Sequence, residues 1–152
     1  MRILVSACLL GAGCKYSGGD NADPRVIALK ERFELVPVCP EQLGGLPTPR
    51  PCAERVGDRV MTETGMEVTP QFQKGAEETL RLAKLLDCQA ALLKSRSPSC
   101  GSIEIYDGSF SHRRVLGQGV TAEKLVHTGI PVFDEEHLAV LECFDFSVKT
   151  EK

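Results

Sequence analysis

Apolar residues along this chain follow two patterns. Short unbroken runs recur: Ile3-Leu4-Val5, Leu35-Val36, Ala90-Ala91-Leu92-Leu93 and Ile130-Pro131-Val132-Phe133. Runs so short and so continuous suit strands buried on both faces of a parallel sheet. They predict strands over residues 2–7, 34–38, 89–93 and 130–133. Pro131 has no N–H to donate, so the last strand either begins there or lies at a sheet edge. Apolar residues at helical spacing separate the strands. Asp23-Pro24 opens one helix, Asp23 as cap and Pro24 in the first turn, with Val26, Ile27, Leu29 and Phe33 on its apolar side. Thr69-Pro70 opens the longest, on which Phe72, Ala76, Leu80, Ala83 and Leu86 share one face and Glu77 can pair with Arg81. A short helix capped by Thr121 runs to His127 and stops at Gly129. Asp134 caps a final helix that ends at Cys143. Residues 54–68 alternate weakly, as in a hairpin, and 102–106 extend. Asp107-Gly108 is a turn, and 109–119 are polar and broken by glycines. Strand alternating with helix gives an α/β architecture, a parallel sheet of about four strands flanked by helices. One domain is expected over 1–146, with a frayed tail at 147–152.

Composition narrows the function. The 152 residues suit one domain, and 42% hydrophobic with 26% charged is ordinary for a soluble globule. A net charge of −3 with no dense run of Lys or Arg disfavours a nucleic-acid polymer as partner. Two Tyr, six Phe and no Trp leave little for broad stacking platforms. Seven cysteines demand an account. Val5-Ser6-Ala7-Cys8 imitates a lipoprotein cleavage site, but the apolar run before it falls short of the roughly 7–15 residues of a signal core. No stretch is long enough to span a membrane. A reducing cytoplasm follows, in which cysteines are thiols or metal ligands.

Three of the seven, Cys8, Cys39 and Cys100, follow predicted strands. If those strands are neighbours, the thiols converge outside the carboxyl edge of the sheet, where open α/β sheets bind ligands. Three thiolates repel one another and call for a cation. Soft sulfur selects zinc, copper or an iron–sulfur cluster, and three protein ligands leave one metal position open. The plainer reading is that small cysteines pack well near strand ends; it explains one cysteine better than three. Cys100 ends the turn Lys94-Ser95-Arg96-Ser97-Pro98-Ser99-Cys100-Gly101, where Pro98 fixes one angle and Gly101 permits a positive one. Cys14, in the glycine loop 9–20, is a fourth ligand or a spare thiol. Cys52 reads as a surface thiol, and Cys88 and Cys143 as core. The three histidines read as solvated. The glycine loop lacks the order of a Walker A or GxGxxG motif, so a dinucleotide is a weak expectation.

Ser6-Ala7-Cys8-Leu9-Leu10-Gly11, Cys39-Pro40-Glu41 with Gly44-Gly45-Leu46 and Pro49-Arg50, and Ser97-Pro98-Ser99-Cys100-Gly101 resemble the DUF523 family. Ile105-Tyr106-Asp107-Gly108 and Gly117-Gln118-Gly119-Val120-Thr121-Ala122 fit it as well, so the resemblance runs in order to about Phe133. Cys52 departs from it, standing where a small alanine-like residue is more usual. The family includes the thiouracil desulfurases. The resemblance implies a Rossmann-like or flavodoxin-like fold and a [4Fe–4S] cluster on Cys8, Cys39 and Cys100. It also implies Glu41 and Ser97 as the groups acting on a small thiolated base. Two functions then compete. One is a non-redox desulfurase, with sulfur drawn to the open iron while water attacks carbon. The other is a metal- or sulfur-carrying binding protein without turnover. Glu41 and Ser97 favour the enzyme, because a carrier needs no proton donor or acceptor.

Overall fold

The computed structural model describes residues 1–147. Eight strands occur among them. These are β1 (Arg2–Ser6), β2 (Glu34–Val38), β3 (Ala53–Val56), β4 (Arg59–Thr62), β5 (Ala90–Leu93), β6 (Glu104–Tyr106), β7 (Arg114–Leu116) and β8 (Val132–Asp134). Four form the central parallel sheet, in the order β2-β1-β5-β8. The others make two small antiparallel pairs, β3-β4 and β6-β7. Helices α1 (Pro24–Ile27), α2 (Pro40–Leu43), α3 (Thr69–Leu85), α4 (Val120–His127) and α5 (Leu138–Glu142) complete the chain. The architecture is the expected α/β one, with four parallel strands flanked by helices.

Burial on both faces explains the unbroken apolar runs. Ile3, Val5 and Leu92 point to one side and pack with Val26, Leu29 and Leu141. Leu4, Ala91 and Leu93 point to the other and meet Leu80, Ala83 and Leu125. Alternate residues thus enter different cores, so Ile3 to Val5 in β1 and all of β5 are apolar. Both prolines are tolerated because β2 and β8 are the edge strands. Pro37 lies within β2 opposite Val5, and Pro131, just before β8, offers its carbonyl to the Ala91 N–H.

Several expectations need correction. Residues 114–116, read as polar loop, pair antiparallel with β6, from Glu104↔Leu116 to Tyr106↔Arg114. All three are exposed, so burial gave the sequence no signal there. Thr121 does not cap α4; Gly119 stands at the cap, and Thr121 is buried one position inside the helix. Arg81 pairs with Glu78, not Glu77, at 3.7 Å. Cys143 is exposed rather than core, because α5 turns only Leu141 fully inward. The expected tail lies outside the described residues except for Ser147.

One helix crossing sets the position of everything that follows β2. The carbonyl of Pro40, in the first turn of α2, lies against Gly75 in the middle of α3. The Gln71 carbonyl lies against Gly44 at the end of α2. A Cβ at either glycine would fall inside the van der Waals envelope of the facing carbonyl oxygen. Mid-helix glycine is otherwise unfavourable by about 1 kcal/mol relative to alanine, so contact, not backbone freedom, holds Gly75 in place. Helix propensity alone predicts that Gly75→Ala stabilises. Overpacking against backbone costs about 1–3 kcal/mol or more, and should win. Thermal unfolding of Gly75→Ala should therefore fall below the parent, by roughly 2–4 °C for each kcal/mol of net loss in a chain of this size; an unchanged or higher midpoint would show that the two helices can part freely.

Candidate metal centre

The carboxyl ends of β2, β1 and β5 open side by side onto a cleft of about 420 Å³, a volume suited to a small molecule. Cys8 follows β1 within a 3-10 turn, Ala7–Leu10. Cys39 follows β2 at the cap of α2, its backbone extended so that Pro40 can start the helix. Cys100 is reached by a longer loop from Leu93. All three line the cleft together with Glu41 and Ser97. The five candidate residues of the sequence therefore meet in one place. The three strands that deliver the cysteines are neighbours in the sheet although a hairpin and a long helix intervene in the chain.

The loop 94–101 is held at many points. Ser6 Oγ accepts the Lys94 N–H at 2.8 Å, tying the end of β1 to the end of β5. Ser97 Oγ accepts the N–H groups of Ser99 and Cys100, each at 3.1 Å. The carbonyls of Pro98 and Ser99 accept N–H groups from Val120, Thr121 and Ala122, so the loop itself caps α4. Ser99 and Thr121 join through their hydroxyls at 3.0 Å. The residue with a positive φ is Arg96, at 65°, and not Gly101. Glycine is required at 101 for room: a Cβ there would stand 2.8 Å from the Glu104 carbonyl and 2.9 Å from that of Ser97.

Burial above all pushes the Cys100 thiol up to about 12; a hydrogen bond with Ser6 works against this, and Glu41, Cys8 and Cys39 add repulsion. Cys8 is raised too, by burial first, while Asn21 and Lys94 oppose the shift. Cys14, buried behind the same cleft, rises to about 12 through burial and then the proximity of Cys39 and Cys8. These sulfurs share one small volume and hinder one another's ionisation, which is the condition that a bound cation relieves. Three soft sulfur donors in a buried cleft fit an iron–sulfur cluster. Among the described residues no three of His, Cys, Asp and Glu surround a point where one ion could sit. A cluster, which takes each cysteine on a different iron, asks for no such point. All seven cysteines are free.

Glu41 occupies the first turn of α2 and its carboxyl is raised by burial, although Arg50 pulls the other way. Arg50 Nε donates to Glu41 Oε1 at 3.2 Å, and the guanidinium is itself buried, donating also to the carbonyls of Cys14 and Pro47 and to Thr48 Oγ1. Glu41 thus pairs with Arg50 and Ser97 caps the turn, and neither contact removes the residue from the cleft.

Sequence reasoning missed a second layer. Lys94 reaches into the cleft and bonds Glu135 Oε1 at 2.8 Å, and Glu135 also accepts the N–H and hydroxyl of Ser95. Glu135 lies just past β8, far along the chain, so no local spacing could have signalled it. Cys52, read as a surface thiol, is half-buried and lines the cleft, as do Tyr106 and His112.

Comparison with known proteins supplies the family and a solved relative of the same fold. The model of the 2-thiouracil desulfurase family matches residues 3–137, and the chain belongs to that family. The uncharacterized protein YbbK of Bacillus subtilis (strain 168) is 40% identical over 146 residues, spanning 90% of this chain and 97% of its own. The solved structure of the [4Fe–4S]-dependent thiouracil desulfidase TudS superposes with a TM-score of 0.88 at 45% identity, covering 93% of this chain and 95% of that one.

The Glu135 contacts predict an acid response. Burial alone would raise its carboxyl, but the bonds from Lys94 and Ser95 outweigh it and the group sits below its ordinary 4.5. A depressed carboxyl stabilises the fold above that value and loses the contribution as pH falls through its folded one. Glu135→Gln should therefore cost about 2 kcal/mol at pH 7 in denaturant unfolding, and the gap to the parent should narrow below about pH 4.5. A gap independent of pH would mean that shape, not charge, holds Ser95.

Proposed function

We propose that this member of the 2-thiouracil desulfurase family takes sulfur from a small thiolated pyrimidine, 2-thiouracil or a close analogue. The products are the oxo-base and sulfide. It would do so with a [4Fe–4S] cluster held by Cys8, Cys39 and Cys100, within a single domain over 1–146. The observation that carries the reading is the meeting of three thiols, a carboxyl and a hydroxyl at three adjacent strand ends. A cytoplasmic setting accords with free thiols and with the absence, among the described residues, of a helix long and apolar enough to cross a membrane.

The overall change is thiocarbonyl plus water to carbonyl plus hydrogen sulfide. Carbon keeps its oxidation state, so no electron donor is required. When bound, a cluster with three cysteine ligands supplies a soft Lewis acid for the sulfur at its remaining iron. The chain's residues supply the proton chemistry. Arg50 occupies Oε1 of Glu41, and Oε2 accepts no hydrogen bond among the described residues. That oxygen takes the proton from water as it attacks carbon. Ser97 Oγ already accepts two N–H groups, so its own hydrogen is free to donate to the ring. The modest volume of the cleft favours a free base over a polymer.

Anaerobic reconstitution with iron and sulfide tests the ligands. The parent should bind about four irons per chain, and Cys8→Ala, Cys39→Ala or Cys100→Ala should lose the cluster. Cys143→Ala should keep it. Equal iron in Cys100→Ala and the parent would refute the assignment. Sulfide release from 2-thiouracil tests the activity, and a fully loaded protein that releases none would leave a carrier as the surviving reading. Glu41→Gln should retain cluster and substrate binding but lose about 100-fold or more in turnover, with Ser97→Ala losing less. Near-parental turnover in Glu41→Gln would reduce Glu41 to an anchor for Arg50.

A further inference from the structure

The segment between β6 and β7 carries strain that the proposed chemistry leaves unused. Within 107–113, Phe110 and His112 both adopt positive φ, 55° and 62°. Side chains rarely tolerate this region, and such residues persist where their surroundings over-determine them. Here the surroundings do. Glu54, buried in the β3-β4 hairpin, accepts the N–H groups of Gly108 at 2.9 Å and Phe110 at 3.1 Å on one carboxylate oxygen. Val56 of the same hairpin packs against Gly108, which leaves no room there for a Cβ. Arg55 bonds Glu123 of α4 at 2.6 Å and fixes the hairpin to the body of the molecule.

This scaffold brings two rings to the cleft wall. Tyr106 and His112 both line it, with centroids 6.5 Å apart and planes at 84°. The His112 ring nitrogens have no hydrogen-bond partner among the described residues, although the rest of the loop is densely bonded. Two rings nearly at right angles make a corner. A flat heterocycle lying on one ring presents its edge to the other, so the corner can read a face by stacking and an edge by a hydrogen bond. Glu41 and Ser97 line the same cleft.

We propose that Tyr106 and His112 form the seat for the heterocyclic ring, Tyr106 by stacking and His112 by a hydrogen bond to a polar ring edge. The β3-β4 hairpin exists to hold that corner in its strained form. This rests on the reading of a thiolated base as substrate. The seat sets which ring is accepted and leaves the bond-breaking step to the inner cleft.

The chain has two tyrosines and no tryptophan. In cluster-loaded Tyr16→Phe protein, tyrosine emission therefore comes from Tyr106 alone. Titrating uracil, with excitation on the long-wavelength edge beyond its absorption, should quench that emission saturably. Independently, Tyr106→Ala and His112→Ala should raise KM for 2-thiouracil about tenfold or more while kcat stays within about twofold. Tyr106→Phe, which keeps the ring, should restore the parental KM. Glu54→Ala, which frees the loop, should raise KM in the same direction. Parental KM in both alanine variants at full cluster content overturns the seat, and so does an emission unmoved by uracil, whatever the turnover. Quenching in a protein that releases no sulfide from any thiolated base would keep the seat as a base-binding site and sink the desulfurase reading instead.

Discussion

Sulfurs crowded at one edge of a parallel sheet cannot all ionise, and the surrounding structure enforces that crowding. Cys100 is buried, and its ionisation is opposed by Cys8, Cys39 and Glu41 together. Left to relax, such groups would move apart or toward water. They stay because each is fixed through backbone rather than through its own side chain. Cys8 sits in a 3-10 turn directly on β1, Cys39 caps α2, and the Cys100 loop is stitched to α4 by carbonyls that double as the helix cap. Binding a cation then stabilises the thiolate form that burial and crowding oppose, and couples metal affinity to proton release.

The glycine contacts belong to the same requirement. Gly75 and Gly44 let α3 and α2 approach until backbone meets backbone, and Gly119 does the same where α4 starts against the Ser99–Cys100 peptide. Each contact lies one to three residues from a site cysteine or from Glu41. Close approach at these points replaces the adjustable side-chain packing that would otherwise allow the sulfurs to drift.

What the sequence made legible follows from the range of each interaction. The four sheet strands announced themselves because both faces are buried, and Asp23 and Asp134 because a cap is a local device. Cys8, Cys39 and Cys100 stood out because each follows a predicted strand, whereas Glu41 and Ser97 were marked by the family resemblance. β7 was invisible, since its three residues are exposed and its pairing is set by the partner strand. Thr121 looked like a cap because nothing in its neighbourhood shows that Ser99, far back in the chain, would take both its hydroxyl and its N–H. Lys94 and Glu135 escaped for the same reason: their meeting is a property of sheet order, which joins β5 to β8.

The cleft thus has two halves made by different means. Its inner half is continuous with the central sheet, so a change of backbone there would disturb the strands as well as the sulfurs. Its outer half is carried by two small hairpins, joined to each other through Glu54 and Val56, and to the body through Arg55, through Val60 packed with Phe72 of α3, and through the bridge between Ile105 and Arg96. The core clusters of the central sheet contain none of the hairpin residues. Exposed hairpin positions, such as those of β7, are the ones whose substitution leaves the cysteine-bearing loops in place. On the readings proposed above, the chemistry falls to the strand ends and ring selection to the loops in front of them.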